Sequence, residues 1–324
     1  MMRSGEKLPS KRIVLVACII LLFALLCLII AVSGRQSQSN TIRVLISTEK
    51  SDRLDFAVYG KFRSKSLTLS QGFFSVDLQD GVLSLYDSTN NKLVSGGNLE
   101  LSPVSRDSFV KIYNQFYGQA CYSGSIQISA DNTDHLRLVE KTPTAVFVQN
   151  IVSFCGASMP DEAVKALTVI VQNYAAACRG NGSFYDTTDL AFPYAGILSG
   201  NDGFLSVMKQ VIGDRLVSDH SYIYPELRGS NGGVYRILPS SPEESEMVLE
   251  DRYDGLYAAL PSGIPSGFSG SCISLQSLQA RAAEGQSYEE ILSFYFPYAS
   301  IVRGTRSERL SDYSIKNNPP VKEG

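Results

Sequence analysis

"SFCGASMPDEAVKALTVIVQNYAAAC", residues Ser153 to Cys178, sets the character of the chain. Apolar side chains recur at Ala163, Ala166, Leu167, Ile170, Val171, Tyr174 and Ala175, one stripe at the i, i+3, i+4, i+7 spacing of an α-helix. Ser158 with Asp161 has the spacing of a capping box, Pro160 suits a first turn, and Gly180 follows the last one. Ala163 and Ala166 are small, which predicts close packing against another element. The stripe therefore reads as core, not as a cofactor site. The approach, Ser153 to Pro160, reads as a loop without an acid, a histidine or any charge.

Upstream, the texture is that of strands. "IRVLIST" (Ile42–Thr48), "LDFAVYG" (Leu54–Gly60), "FFSVDL" (Phe73–Leu78) and "GVLSLYDS" (Gly81–Ser88) alternate or cluster β-branched and aromatic residues between turn signals. Asn90-Asn91 and Gly96-Gly97-Asn98 read as turns, and "SFVKIYN", "CYSGSIQIS" and "HLRLVEK" continue the pattern. Residues 41–145 are therefore expected to be mainly short antiparallel strands. Downstream, helices are predicted around Phe204–Ile212, over Leu275–Ala283, and at "YEEILSFYF" behind the cap Ser287-x-x-Glu290.

The N-terminus follows a different solvent rule. Ile13 to Val32 is an apolar run of 20 residues without a charge, about the length that crosses a bilayer as a helix. Arg3, Lys7, Lys11 and Arg12 precede it, which places residues 1–12 in the cytoplasm and everything after Arg35 outside. Ala31-Val32-Ser33 could pass for a signal-peptide cleavage site, but the run exceeds the usual h-region of about 7–15 residues, so an uncleaved anchor is expected. Residues 33–40 read as a polar linker and 303–324 as a polar, disordered tail.

Residues 1–35 are net +4 and the rest net −7 within an overall −3. An acidic ectodomain without a basic tract argues against nucleic-acid binding. Outside the anchor, Cys121, Cys155, Cys178 and Cys272 lie far apart with no C-x-x-C. Sequence leaves all three pairings of four cysteines open. Cys155 and Cys178 flank a helix of about 18 residues, roughly 27 Å long, and so should not pair with each other. Buried free thiols are the expected state.

Four blocks occur in one order across residues 42–302. Tyr122-Ser123-Gly124-Ser125-Ile126 comes first and Met159–Ala175 second. Asp186-Thr187-Thr188 with Tyr194-x-Gly196 follows, and Ala280–Pro297, "ARAAEGQSYEEILSFYFP", closes the set. Together they resemble the stage II sporulation protein D (SpoIID/LytB amidase-enhancer) family, with its Y-x-G strand, signature helix, D-T-T segment and closing helix. The resemblance implies an α+β fold: a β-rich N-terminal part and a helical and β core within residues 41–302, preceded by one transmembrane helix. It also implies a cell-wall role. Family members are membrane-anchored murein lytic transglycosylases acting beside an amidase in sporulation and engulfment, or amidase enhancers. A lytic transglycosylase needs one carboxylic acid to protonate the glycosidic oxygen and then serve as base; in the family this is a Glu just before the signature helix.

That acid is missing from the expected place. Without gaps its position falls at Phe154, or at Cys155 if the frame slips by one; matching the literal Met-Pro puts it at Ser158. The nearest acids, Asp161 and Glu162, stand in the first helical turn, where acids serve the helix dipole. The zinc ligands of some members map to Tyr185, Asp189 and Leu190, and only His135 and His220 are present, so neither metal nor cofactor is expected. The family's G-H-G-V-G-M-S-Q stretch is replaced by Gly267–Leu275, "GFSGSCISL", and Tyr235 stands where the S-x-G-G turn at Ser230 is usually followed by Thr. The expectation is a catalytically inactive, single-pass wall protein. It would bind peptidoglycan glycan strands, or a partner such as an amidase, through Tyr185, Asp186, Thr187, Thr188, Tyr194 and Ser230. Asp186-Thr187-Thr188 could equally make a structural Asx-type turn. The alternatives are an active transglycosylase using a displaced acid such as Glu162, and, more remotely, nucleophile chemistry at Ser158 or Cys155, which would need a base near this loop.

Overall fold

The structure, a computed structural model, describes residues 41–46, 51–65, 67–114, 117–131, 135–156, 158–178, 186–188, 192, 194–197, 202–218, 221–222, 226–228, 235–236, 247–248, 272–297 and 299–304. All fall within the compact unit Thr41–Gly324. The expected membrane segment Ile13–Val32, the linker and the tail beyond residue 304 lie outside the described residues. Among the described residues no helix is long and apolar enough to cross a membrane.

Strands dominate the first part, as the alternating pattern predicts. They are β1 (Thr41–Ile46), β2 (Arg53–Tyr59), β3 (Phe62–Ser64), β4 (Leu67–Leu69), β5 (Gly72–Gln79), β6 (Val82–Asp87), β7 (Lys92–Gly96), β8 (Asn98–Pro103), β9 (Phe109–Asn114), β10 (Gly118–Tyr122), β11 (Ser125–Ala130) and β12 (Leu136–Pro143). The helices α1 (Thr144–Cys155) and α2 (Asp161–Cys178) follow, then β13 (Thr187–Thr188), α3 (Asp202–Met208), β14 (Arg215–Ser218) and β15 (Ser221–Tyr222). After them come β16 (Glu226–Arg228), β17 (Tyr235–Arg236), β18 (Met247–Val248), β19 (Cys272–Ser274), α4 (Leu275–Ala283), α5 (Tyr288–Tyr295) and β20 (Ser300–Val302). The fold is α+β and β-rich.

Two larger sheets carry the first part, ordered β13-β1-β12-β11-β8-β3-β4 and β10-β9-β2-β5-β6-β7. Neighbours in them are antiparallel except β13, which runs parallel to β1. Period-2 alternation decides what each buries. Strand β1 buries Ile42, Val44 and Ile46, and β2 buries Leu54, Phe56 and Val58. Asp80 and Gly81, both at positive φ (50° and 73°), make the tight turn between β5 and β6. The inner faces of both sheets and the apolar sides of α1 and α2 belong to one hydrophobic cluster.

Helix α1 departs from the sequence reading, which runs strand texture to residue 145 and takes Ser153–Pro160 as loop. Val146, Val148, Ile151 and Val152 are β-branched and favour strand. Burial of Ala145, Phe147, Val148, Ile151 and Val152 outweighs that preference. Ser153, Phe154 and Cys155 are thus the last turn of a helix.

Helix α2 is where predicted, but it buries far more than one stripe. Thirteen of its 18 residues are buried, among them Thr168, Gln172 and Asn173. It packs against α1, α3, α4, α5 and β14, so little of it faces solvent. Its polar side chains therefore bond inward. The Asn173 amide donates to the Leu216 carbonyl at 2.6 Å and accepts from the Leu216 N–H at 2.8 Å, acting as an extra strand residue beside β14. The Gln172 amide donates to the Val211 carbonyl at 3.3 Å and accepts from the Gly213 N–H at 2.9 Å.

The C-terminal helices are as predicted. Ser287 and Glu290 form the capping box of α5, with the Ser287 N–H donating to Glu290 at 2.7 Å. Residues 303 and 304, past the boundary expected at 302, pack on the fold. The wholly buried Asp214 carboxylate accepts from Arg303 at 3.0 Å, from the Gly304 N–H at 2.8 Å and from the Tyr288 hydroxyl at 3.1 Å. A Cβ at Gly304 would sit 2.5 Å from the Ile212 carbonyl oxygen, so only glycine lets the chain pass there.

Replacing Asn173 by Ala strands the buried N–H and C=O of Leu216, at a cost of about 3 kcal/mol. Denaturant midpoints should show that loss for Asn173→Ala, and within about 0.5 kcal/mol of no change for the exposed Gln119→Ala. Equal midpoints would show that α2 does not depend on this bond.

Candidate functional site

The three positions where a family acid could stand share the end of α1 and the turn after it. Gly156 closes the helix, its N–H donating to the Val152 carbonyl at 2.7 Å. Phe154 projects outward, 41% exposed, and meets Tyr117 edge-on with ring centroids 5.5 Å apart. Cys155 faces inward, and burial pushes its thiol up to about 12. Such a thiol is not a nucleophile near neutral pH. Ser158 is exposed. The end of α1 presents an aromatic ledge in place of a proton donor.

Glu162 is occupied elsewhere. One carboxylate oxygen accepts from Lys165 at 2.5 Å and the other from the Tyr288 N–H at 2.8 Å. It thereby caps the first turn of α5, a structural duty for an acid at a helix N-terminus. Asp161 stands exposed at the start of α2.

The D-T-T segment is held from three sides. The Asp186 carboxylate accepts from the Arg43 backbone N–H at 2.8 Å and from the Arg43 guanidinium at 2.8 Å. The Asp186 N–H donates back to the Arg43 carbonyl at 2.8 Å. The Thr187 hydroxyl is hydrogen-bonded to that of Tyr174 on α2. Thr188 pairs with Leu45 of β1 and is half-buried. Asp186 and Thr187 therefore join β13 to β1 and α2.

The two Tyr-x-Gly motifs, more than 70 positions apart in the sequence, converge in space. Rings of Tyr122 and Tyr194 lie 6.2 Å apart, centroid to centroid, and Phe147 of α1 sits 5.2 Å from Tyr194. Gly196 bridges to Cys121, and the Ile197 N–H donates to the Cys121 carbonyl at 2.6 Å. Between the motifs lies Glu140 of β12. One of its oxygens accepts from the Tyr194 hydroxyl at 2.6 Å and the other from the Gly124 N–H at 2.7 Å. Glu140 and Tyr194 are both wholly buried. Burial pushes the Glu140 carboxyl up to about 7, against the opposing pull of Tyr194 and Gly124. Tyr194, expected to touch substrate, is instead a core residue, because its ring packs on Phe147 and its hydroxyl is spent on Glu140.

Glu140 escaped the sequence reading, although its signal was present. In "HLRLVEK" every second residue faces in, and Leu136, Leu138, Glu140 and Thr142 share that buried face. An acid in phase with apolar neighbours marks a buried carboxyl. Tyr185, Ser230, Asp189, Leu190, His220 and the Gly267–Ser271 stretch lie outside the described residues. His135 precedes β12, its N–H donating to Asp131 at 3.2 Å, as the strand-start reading expects. Among the described residues no three His, Cys, Asp or Glu side chains gather as metal ligands. Cys121 and Cys155 carry free thiols.

No family model, curated protein or solved structure matches the chain.

The close approach at Gly196 permits no side chain: φ is +69°, and an added Cβ would collide with the Cys121 carbonyl oxygen. Gly81 also has positive φ, +73°, but faces open space. Gly81→Ala should therefore cost only the conformational term of about 1–2 kcal/mol, and Gly196→Ala at least twice that. Equal losses in thermal unfolding would mean that the two motifs do not touch as described.

Proposed function

We propose that this chain is a membrane-anchored cell-wall protein of the SpoIID/LytB type that no longer cleaves glycan and instead binds it. The observation that carries the reading is the end of α1. The family's acid position falls at Phe154, Cys155 or Ser158, where an exposed aromatic ring, a half-buried thiol held protonated by burial and an exposed hydroxyl stand. Aromatic faces pack on the apolar faces of sugar rings without requiring charge, so a ledge of Phe154 and Tyr117 suits a polysaccharide strand. Further support comes from the ordered motifs, since the two Tyr-x-Gly pairs and the D-T-T segment gather around β1, β12 and α1. The acid considered as a substitute, Glu162, already bonds to Lys165 and the α5 backbone, which argues against relocated catalysis. The anchor Ile13–Val32 would hold the domain at the outer face of the membrane, beside the wall and any amidase partner. Thr188, with Tyr185 and Ser230 outside the described residues, would supply the polar contacts of this reading.

The test uses the full-length chain in detergent with purified sacculi. The protein should sediment with the sacculi and release no anhydro-muramyl products. Phe154→Ala should weaken retention roughly fivefold, the equivalent of one lost aromatic contact of about 1 kcal/mol. Anhydro-muramyl products that vanish in Glu162→Gln would overturn the inactive assignment. Failure to sediment would overturn glycan binding.

A further inference from the structure

Three segments meet at one carboxyl group. Strand β12 carries Glu140; the turn between β10 and β11 offers the Gly124 N–H; the segment after β13 offers the Tyr194 hydroxyl. The two neighbouring strands place Val44 and Ile126 beside it, and Phe147 of α1 packs on the ring of Tyr194. Among the described residues no cation is paired with it. The guanidinium of Arg43, next to Val44 on β1, is engaged by Asp186. Lys141, its neighbour along β12, is exposed. From α2, the Tyr174 hydroxyl is engaged by Thr187. The other titratable groups nearby are the phenols of Tyr194 and, beside it, Tyr122. A neutral carboxylic acid fits such a site; an ionised one lacks a countercharge and must draw water.

We propose that Glu140 is a proton-controlled latch: protonated, it holds the Tyr194–Ile197 segment and the Gly124 turn against β12, and ionised it hydrates and releases them. The release is local. The Ile197 and Gly124 amides lose their acceptors, while Asp186 stays tied to Arg43. The direction follows from linkage. A carboxyl raised from 4.5 to about 7 stabilises the closed arrangement fully below pH 4.5, and that contribution is lost as pH rises through 7. An opening at Tyr194–Ile197 would expose the Cys121 carbonyl and the Tyr194 ring to solvent as pH rises. This holds whatever the cleft binds, and its test does not involve glycan.

Hydrogen exchange on the full-length chain in detergent, corrected for intrinsic rates, reads the latch directly. Protection at the Ile197 and Gly124 amides should fall at least tenfold between pH 5.5 and pH 8.5, while the β5–β6 hairpin keeps its protection. In Glu140→Gln, protection at both sites should no longer depend on pH. Tyr194→Phe removes a donor that favours the ionised form, so its midpoint should move to higher pH. Constant protection across the range in the native chain would overturn the proposal, as would the same fall in Glu140→Gln. If Glu140→Gln does not fold, an unmoved midpoint in Tyr194→Phe overturns it.

Discussion

Burial of α2 on nearly every side is the constraint that organises this molecule. A helix with a solvent face can send its polar side chains outward; one without must bond each of them inside. Asn173 and Gln172 meet that demand by pairing with the backbone of residues 211–216. Those bonds fix where α3 ends and where β14 begins. Strand β14 in turn positions β20 through backbone pairing, and Asp214 draws in Arg303, Gly304 and Tyr288. The C-terminal helices thus find their places through polar groups on a helix read from sequence as an apolar stripe.

A second polar centre orders the opposite flank of the helix layer. Glu140 lies on the apolar face of its sheet, and its two oxygens are taken by a backbone amide and a phenol from distant segments. Removing a carboxyl from water costs several kcal/mol unless it is neutralised or paired, so such a site is retained for specificity more than for stability. Here the specificity is positional. A Cβ at Gly124 would press on Glu140 itself, 2.7 Å from its oxygen, and one at Gly196 would strike the Cys121 carbonyl. Only glycine at both positions lets the chain approach closely enough for the tyrosines and the carboxyl to meet. The Tyr-x-Gly spacing is therefore a packing rule: an aromatic ring for the core, then a residue without a side chain where two backbones touch.

Much of this was legible in the chain itself. Strands β1, β2, β5, β6, β9, β11 and β12 follow from period-2 alternation, whereas β3, β4, β7 and β8 are too short or too polar to stand out, and the capping box at Ser287 places the start of α5. Helix α1 was not legible, because its β-branched residues favour strand and only tertiary burial makes them helical. Of the residues singled out for substrate, Asp186, Thr187 and Tyr194 bond within the fold. The reason is general. Polar residues next to a turn look the same in sequence whether they bond a ligand or their own scaffold, and only the presence of Arg43, Tyr174 and Glu140 opposite them decides.

The same distinction bears on what the end of α1 can do. An acid there would need water or a substrate oxygen within reach and a carboxyl free of other bonds. Four acids among the described residues serve the architecture instead: Glu162 caps α5, Asp186 fastens β13, Asp214 gathers residues 303–304, and Glu140 joins two glycine turns. Each sits where its removal would loosen the fold, so none can be lent to a reaction without cost to the scaffold. Phe154, by contrast, is partly exposed and makes only an edge contact with Tyr117. A large apolar side chain left in water at a helix end contributes little to folding, and what it offers is surface. A surface of that kind can meet another molecule by shape and stacking.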